Sequence, residues 1–199
     1  MPDSPVLTID ILRHGETTMD AGKLYGVTDV PLSDVGKKQL LTAVKCIFQE
    51  PVSAIVSSPL QRCAWLAEQF KGKLSVSYER GFAEMDFGDW EGGDIKTLLK
   101  QEPNFRLDVS QLNAPNGEAF VDFHARVLST WQQYIDTHLE QGGHHLLIAH
   151  GGVIRVLLGH ALRVPMANLA NLYVPHAAWS RVSFAPKQPP MLWFMNYHA

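Results

Sequence analysis

Short apolar, β-branched runs alternate along this chain with segments of helical periodicity, and polar or basic residues stand at once after three of those runs. Val6 to Leu12 reads as a strand and is followed by a glycine-containing loop. Ser33 can cap a helix reaching about Gln49, with Leu40, Leu41, Val44, Ile47 and Phe48 as its apolar stripe. Ser53 to Ser57 is a second short strand, and Pro59 opens a helix to about Phe70, a position where the missing N–H costs nothing. Leu74 to Tyr78 is a third strand. A long helix is expected from about Glu118 to Glu140, with Phe120, Phe123, Val127, Trp131 and Ile135 at helical spacing. His144 to Ala149 is another strand, and Gly151-Gly152 leads into a helix ending near Arg163. Short strands are expected near Leu169–Val174, Trp179–Phe184 and Met191–Met195. This alternation predicts an α/β fold, a three-layer sandwich with a mostly parallel central sheet. Between Gly81 and Gly117 the pattern weakens, which implies an irregular insertion with one or two short helices over the active site.

The 199 residues suit a single domain, 1–199, able to bury roughly 70% of its surface. Seventeen Lys and Arg against twenty Asp and Glu give a formal charge of −3, which provides no global field for nucleic acid or an anionic membrane. Any anion site must therefore be a local arrangement of a few basic groups. Cys46 and Cys63 sit in helical stretches without a CxxC spacing, so neither a disulfide framework nor a zinc site is expected. Met1 to Leu12 has no basic leader, and the apolar region Leu146 to Val164 is broken by His150, Arg155, His160 and Arg163. A cytoplasmic protein without a membrane span is the expectation. Nothing in the sequence fixes the oligomeric state, a homodimer included.

In open α/β sheets, ligands bind beyond the carboxyl ends of the strands. The residues there are Arg13-His14-Gly15, Ser57 through Arg62, and His150-Gly151-Gly152. Two arginines and two histidines are thereby delivered to one sheet edge. Arginine offers a rigid donor fork for phosphate or carboxylate, and two glycines opening a helix expose N–H groups at its positive end. An anionic, phosphorylated small molecule is the substrate class this convergence implies.

These segments also carry a family resemblance. LRHGET (Leu12 to Thr17), SSPLQR (Ser57 to Arg62), FAEMDFGDWEG (Phe82 to Gly92) and AHGGVIR (Ala149 to Arg155) resemble, in order, four signatures of the histidine phosphatase superfamily, the phosphoglycerate-mutase-like group. Within it, PNGEAF (Pro115 to Phe120) with Arg126, FGDWE and AAWS (Ala177 to Ser180) are most similar to the α-ribazole phosphatases of cobalamin lower-ligand synthesis. The resemblance implies a phosphoglycerate-mutase-like fold and phosphate-ester hydrolysis through a phosphohistidine, with no cofactor and no metal. His14 would be the nucleophile, its other ring nitrogen held by a backbone carbonyl. Arg13, Arg62 and His150 would surround the phosphoryl oxygens, with Gly151 and Gly26 also meeting substrate. Glu84 would give a proton to the leaving alkoxide and then activate water, and a bound phosphate dianion beside it favours the protonated form needed first.

One position departs from the family. An asparagine commonly stands seven residues after the motif arginine, and here that position is Asp20. An ionised Asp20 facing phosphate would repel it, so the side chain must point away, be paired or be protonated. Tyr25 replaces the mutase-type hydroxyl before Gly26, and FGDWEG stands where mutases have another loop; both favour hydrolysis over isomerisation. The alternatives are a phosphatase of another sugar phosphate, a phosphoglycerate mutase, or a non-catalytic binding module, the last opposed by the presence of both His14 and Glu84. Arg126 can touch substrate or pair with Glu118 or Asp122. Tyr25, Phe87 and Trp90 can stack on a substrate ring or pack on the core. His144, His145, His160 and His176 lack metal-like spacing and are read as structural or exposed. Cys63 lacks the Cys-x5-Arg spacing of thiol phosphatases, and Pro31 and Lys38 break any P-loop around Gly36-Lys37.

Overall fold

The computed structural model describes residues 5–20 and 22–198. Strand β1 (Leu7–Arg13) is followed by helix α1 (Asp34–Ile47), β2 (Ala54–Ser57), α2 (Gln61–Glu68) and β3 (Ser75–Tyr78). The segment after β3 folds into short 3₁₀ turns and two short helices, α3 (Ile95–Gln101) and α4 (Asn104–Leu107). Then come α5 (Phe120–His138), β4 (Gly143–Ala149), α6 (Gly151–Leu162), β5 (Trp179–Phe184) and β6 (Met191–Tyr197). The sheet order is β3-β2-β4-β1-β5-β6. β3, β2, β4 and β1 are mutually parallel, while β5 runs antiparallel to both β1 and β6.

Strand alternation builds the three layers. On one face Leu7, Ile9, Ile11, Leu147 and Ala149 pack with Phe123, Val127 and Trp131 of α5 and with Val153 and Leu157 of α6. On the other, Leu12, Leu146, Ile148 and Ile55 pack with Leu40, Val44 and Ile47 of α1 and Leu66 of α2. Ser33 caps α1 by accepting from the Gly36 N–H at 3.0 Å. α2 begins two residues beyond Pro59, where the Asp29 carboxylate accepts from the Gln61 N–H at 2.7 Å.

The strand expected over Leu169–Val174 does not form. Met166–Asn171 is a 3₁₀ turn instead. Leu169 fills the notch left by Gly159, where a Cβ would lie 2.0 Å from its Cδ2. The carbonyls of Leu172 and Val174 face arginine side chains, accepting from Arg155 Nε at 2.7 Å and Arg13 Nη1 at 2.5 Å, so they offer nothing to a ladder.

Between Leu7 and Leu12, β1 carries one charge, Asp10, fully buried. Arg181 donates to it through Nε and Nη2 at 2.8 and 2.9 Å, and His144 Nε2 lies 2.8 Å away. Burial alone would raise the Asp10 pKa, but the hydrogen bonds and charges of Arg181 and His144 outweigh it and hold the carboxyl below its ordinary range. A depressed carboxyl contributes stability above its unfolded pKa of about 4 and loses it as the pH falls through the folded value. Asp10→Ala is expected to cost about 3 kcal/mol at pH 7, the scale for breaking a buried ion pair. Urea unfolding should show a lower midpoint at unchanged slope, with the gap to wild type closing below pH 4. A gap independent of pH would refute the electrostatic origin.

Candidate active site

The parallel register fixes which residues leave the sheet together. Arg13 pairs with Ala149 and Ser57 with Ile148, so β1, β2 and β4 end side by side. The ladder continues one step further, His14 N–H to Ala149 O and Ser58 N–H to Ile148 O, each at 3.0 Å. His14, Ser58 and His150 therefore stand on one edge, with the rings of His14 and His150 5.2 Å apart.

His14 is buried, and its Nδ1 donates to the Gly15 carbonyl at 2.8 Å. That bond places the proton on Nδ1 and leaves the Nε2 lone pair available. Burial, then the charges of Arg13 and Arg62, push its pKa well below the ordinary histidine value, so the ring is neutral. His150 is likewise depressed by burial, then by Arg62 and His14. Its Nδ1 accepts from Arg62 Nε at 3.2 Å, so Nε2 carries the proton and donates to Ser58 Oγ at 2.7 Å. The other Arg62 donors reach Thr28 O at 2.9 Å and Gly26 O at 2.5 Å. Two of its five N–H groups remain for a ligand. Cys63 lies against the same imidazole, and burial raises its pKa, keeping it a thiol.

Arg13 donates through Nη1 to Val174 O and through Nη2 to His176 Nε2, 2.9 Å away, while its buried Nε has no partner among the described residues. Burial, then the nearby charge of Arg155, lowers its pKa to about 10, so it stays charged. Glu84 is buried; Oε2 accepts from Gly152 N–H at 2.9 Å and Oε1 from Met85 N–H at 3.2 Å. A Cβ at 152 would lie 2.3 Å from Glu84 Oε1 and push that carboxylate out of its position. Arg126 pairs with the Glu118 carboxylate at 2.8 and 2.9 Å and donates to Gly81 O and Ala83 O. It thus holds the backbone leading to Glu84 and does not line the adjacent cavity.

A cavity of about 390 Å³ opens beside this edge. Arg13, Glu84, Gly151, Gly152 and Arg155 form its polar end. Tyr25, Phe87, Phe105, Phe120 and Phe123 contribute aromatic surface to its walls, Lys23 and Arg106 add two basic groups, and aliphatic side chains supply the rest. Phe87 lies nearly parallel to Phe105, ring centroids 6.2 Å apart. Trp90 packs against the core rather than lining the cavity. Asp20 is exposed and outside the lining, with its carbonyl accepting from Lys23 N–H at 3.3 Å. Gly26 stands behind the site: its carbonyl takes Arg62, its N–H meets Glu91, and a Cβ would collide with the Met85 carbonyl.

Three contributors escaped the sequence reading. Arg155 lies inside a quoted signature, but only the structure shows it lining the cavity beside Arg13. Glu91, among several acids of its loop, accepts from the N–H groups of Gly26, Val27, Thr28 and Phe87. His176 gave no local signal at all. Among the described residues no group of three or more His, Cys, Asp or Glu could hold a metal ion, and no helix is long and apolar enough to cross a membrane.

The family model of the histidine phosphatase superfamily (branch 1) matches residues 9–196. Glucosyl-3-phosphoglycerate phosphatase of Mycobacterium tuberculosis is 30% identical over 186 residues, covering 87% of this chain and 83% of that protein. The native structure of a mycobacterial glucosyl-3-phosphoglycerate phosphatase superposes with a TM-score of 0.82 at 25% identity, covering 96% of this chain and 99% of that one. A structure from Escherichia coli described as "a putative alpha-ribazole-5'-P phosphatase" gives 0.84 at 24% identity over 97% of both chains, a likeness of fold. With four signatures at one sheet edge and a family match spanning nearly its whole length, the chain belongs to the histidine phosphatase superfamily, branch 1, and by that membership is a phosphatase.

Proposed function

We propose that the protein hydrolyses a small phosphate monoester through a phosphohistidine on His14. The observation that carries this reading is the His14 ring itself: neutral, tied at Nδ1 to Gly15 O, with Nε2 unpaired among the described residues and Arg13 and Arg62 beside the ring. In the first step Nε2 bonds to phosphorus as the ester P–O bond breaks, and Glu84 gives its proton to the departing alkoxide. The Arg13 Nε–H and the unused Arg62 donors stabilise the charge on the phosphoryl oxygens, while His150, with its Nε2–H given to Ser58, accepts the Arg62 Nε–H and holds that guanidinium in place. In the second step the Glu84 carboxylate takes a proton from water, the water oxygen bonds to phosphorus, and the P–N bond breaks to release phosphate.

The substrate we propose is α-ribazole 5′-phosphate, supported by the aromatic walls beside the Arg13–Glu84 end of the cavity. A benzimidazole ring would bury its faces there, whereas a glucosyl group would leave hydroxyl groups without partners against those walls. A second reading is glucosyl-3-phosphoglycerate, favoured by Arg155, Lys23 and Arg106 in the same lining, which suit a carboxylate, and by the name of the mycobacterial relative. Phosphate release should be measured with both esters, and with 3-phosphoglycerate plus an acceptor alcohol. The expected kcat/KM for α-ribazole 5′-phosphate exceeds that for the glucosyl ester by about tenfold or more, the cost of unpaired buried hydroxyls. The reverse order overturns the substrate assignment. Phosphate passing to the alcohol rather than to water overturns hydrolysis in favour of a mutase.

A further inference from the structure

We propose that His176 is a positioning residue for phosphate binding: its Nε2 accepts from Arg13 Nη2 and holds that guanidinium so that Nε–H faces the phosphoryl group. This rests on the reading of Arg13 as a phosphate-binding group. A guanidinium has donors only, so at 2.9 Å the His176 Nε2 must be the acceptor, and the ring proton sits on Nδ1.

The surrounding segment is shaped to the Arg13-His14 peptide. Val174 O accepts from Arg13 Nη1, Ala178 O accepts from the Arg13 N–H at 3.0 Å, and the Ala177 N–H donates to His14 O at 3.2 Å. Ala177 adopts a φ of +54°, a left-handed conformation that a non-glycine residue holds only when its surroundings impose it. The His176 ring meanwhile lies 5.3 Å from that of His14. With one contact on each Nη, the guanidinium cannot turn about its long axis. Its Nε–H is left buried without a partner among the described residues, and a buried orphan donor is where a ligand oxygen belongs. Without the imidazole, Nη2 loses its acceptor, and the fork is free to turn toward Val174 or solvent.

The contact requires an unprotonated ring. The charged and titratable groups facing His176 are Arg13 and His14, both from the end of β1. Burial, then the Arg13 charge, lowers the His176 pKa to about 4, so Nε2 stays an acceptor at neutral pH. Only below that value would it gain a proton and become a cation facing another.

The test compares His176→Leu, which keeps bulk and removes the acceptor, with His176→Gln, whose amide oxygen restores one. Inhibition by inorganic phosphate, and KM and kcat on p-nitrophenyl phosphate, are read for both against wild type. His176→Leu should raise KM and the phosphate inhibition constant by about ten- to hundredfold, as expected for one lost charge-assisted hydrogen bond, with a much smaller change in kcat. His176→Gln should recover most of that loss. Equal impairment of both variants, or a Leu variant within twofold of wild type, overturns the proposal. Nitrogen NMR of the wild-type histidines decides independently of any variant's folding: the expected result is a protonated Nδ1 and a hydrogen-bonded, unprotonated Nε2 at His176, and a proton on Nε2 overturns it. Wild-type protein that binds phosphate yet releases none from any ester contradicts the hydrolytic function, not this contact.

Discussion

His14→Ala should abolish turnover and the phosphoenzyme together, lowering kcat by at least about 10⁴-fold, the scale on which removal of a covalent nucleophile acts. The size follows from the surroundings of the ring. His150 lies within 5.2 Å but has both nitrogens engaged, one by Arg62 and one by Ser58, so no second lone pair stands ready. The Cys63 sulfur is kept a thiol by burial and is no substitute nucleophile. Rapid quenching of wild type with radiolabelled substrate should trap phosphate stable in alkali and labile in acid, mapping to the peptide containing His14. A label on His150, or none on histidine, would sink the assignment.

Glu84→Gln should reduce kcat on a sugar phosphate by about 10²–10⁴-fold, yet reduce single-turnover cleavage of p-nitrophenyl phosphate far less. An alkoxide leaves poorly without a proton, whereas nitrophenolate needs none. Glutamine can still accept from the Gly152 N–H, so the loop should keep its geometry while losing the transferable proton. Equal losses on both esters would mean that Glu84 positions the site and does not supply the proton.

The catalytic edge was legible because sheet register does most of the placing. Once β1, β2 and β4 are recognised as parallel neighbours, His14, Ser58 and His150 can only emerge together, and Arg62 follows in the first turn of α2. The 3₁₀ turn over Met166–Asn171 was not legible, because apolar spacing cannot show that the carbonyls just after it face Arg13 and Arg155. The same long range hid His176, 163 residues from its partner in sequence. Gly26 is expected from the family resemblance to meet substrate, whereas its carbonyl takes Arg62, its N–H meets Glu91 and it does not line the cavity, since a glycine in sequence does not reveal which atoms crowd it. At Asp20 the departure from the family pattern was visible at once, but only the structure puts that residue at the surface.

Three successive N–H groups, those of Gly26, Val27 and Thr28, converge on the Glu91 carboxylate, which also accepts from the Thr28 hydroxyl. Such a row of amides is an anion cradle, and here the chain fills it from within. The carbonyls of Gly26 and Thr28 are the two that hold the Arg62 guanidinium. Position is thus relayed from an acid through a loop to a base, and Glu91 sets the aim of Arg62 while making no bond to it. A change confined to Glu91 would shift the reactive edge from behind, as a loosened mount shifts the instrument bolted to it.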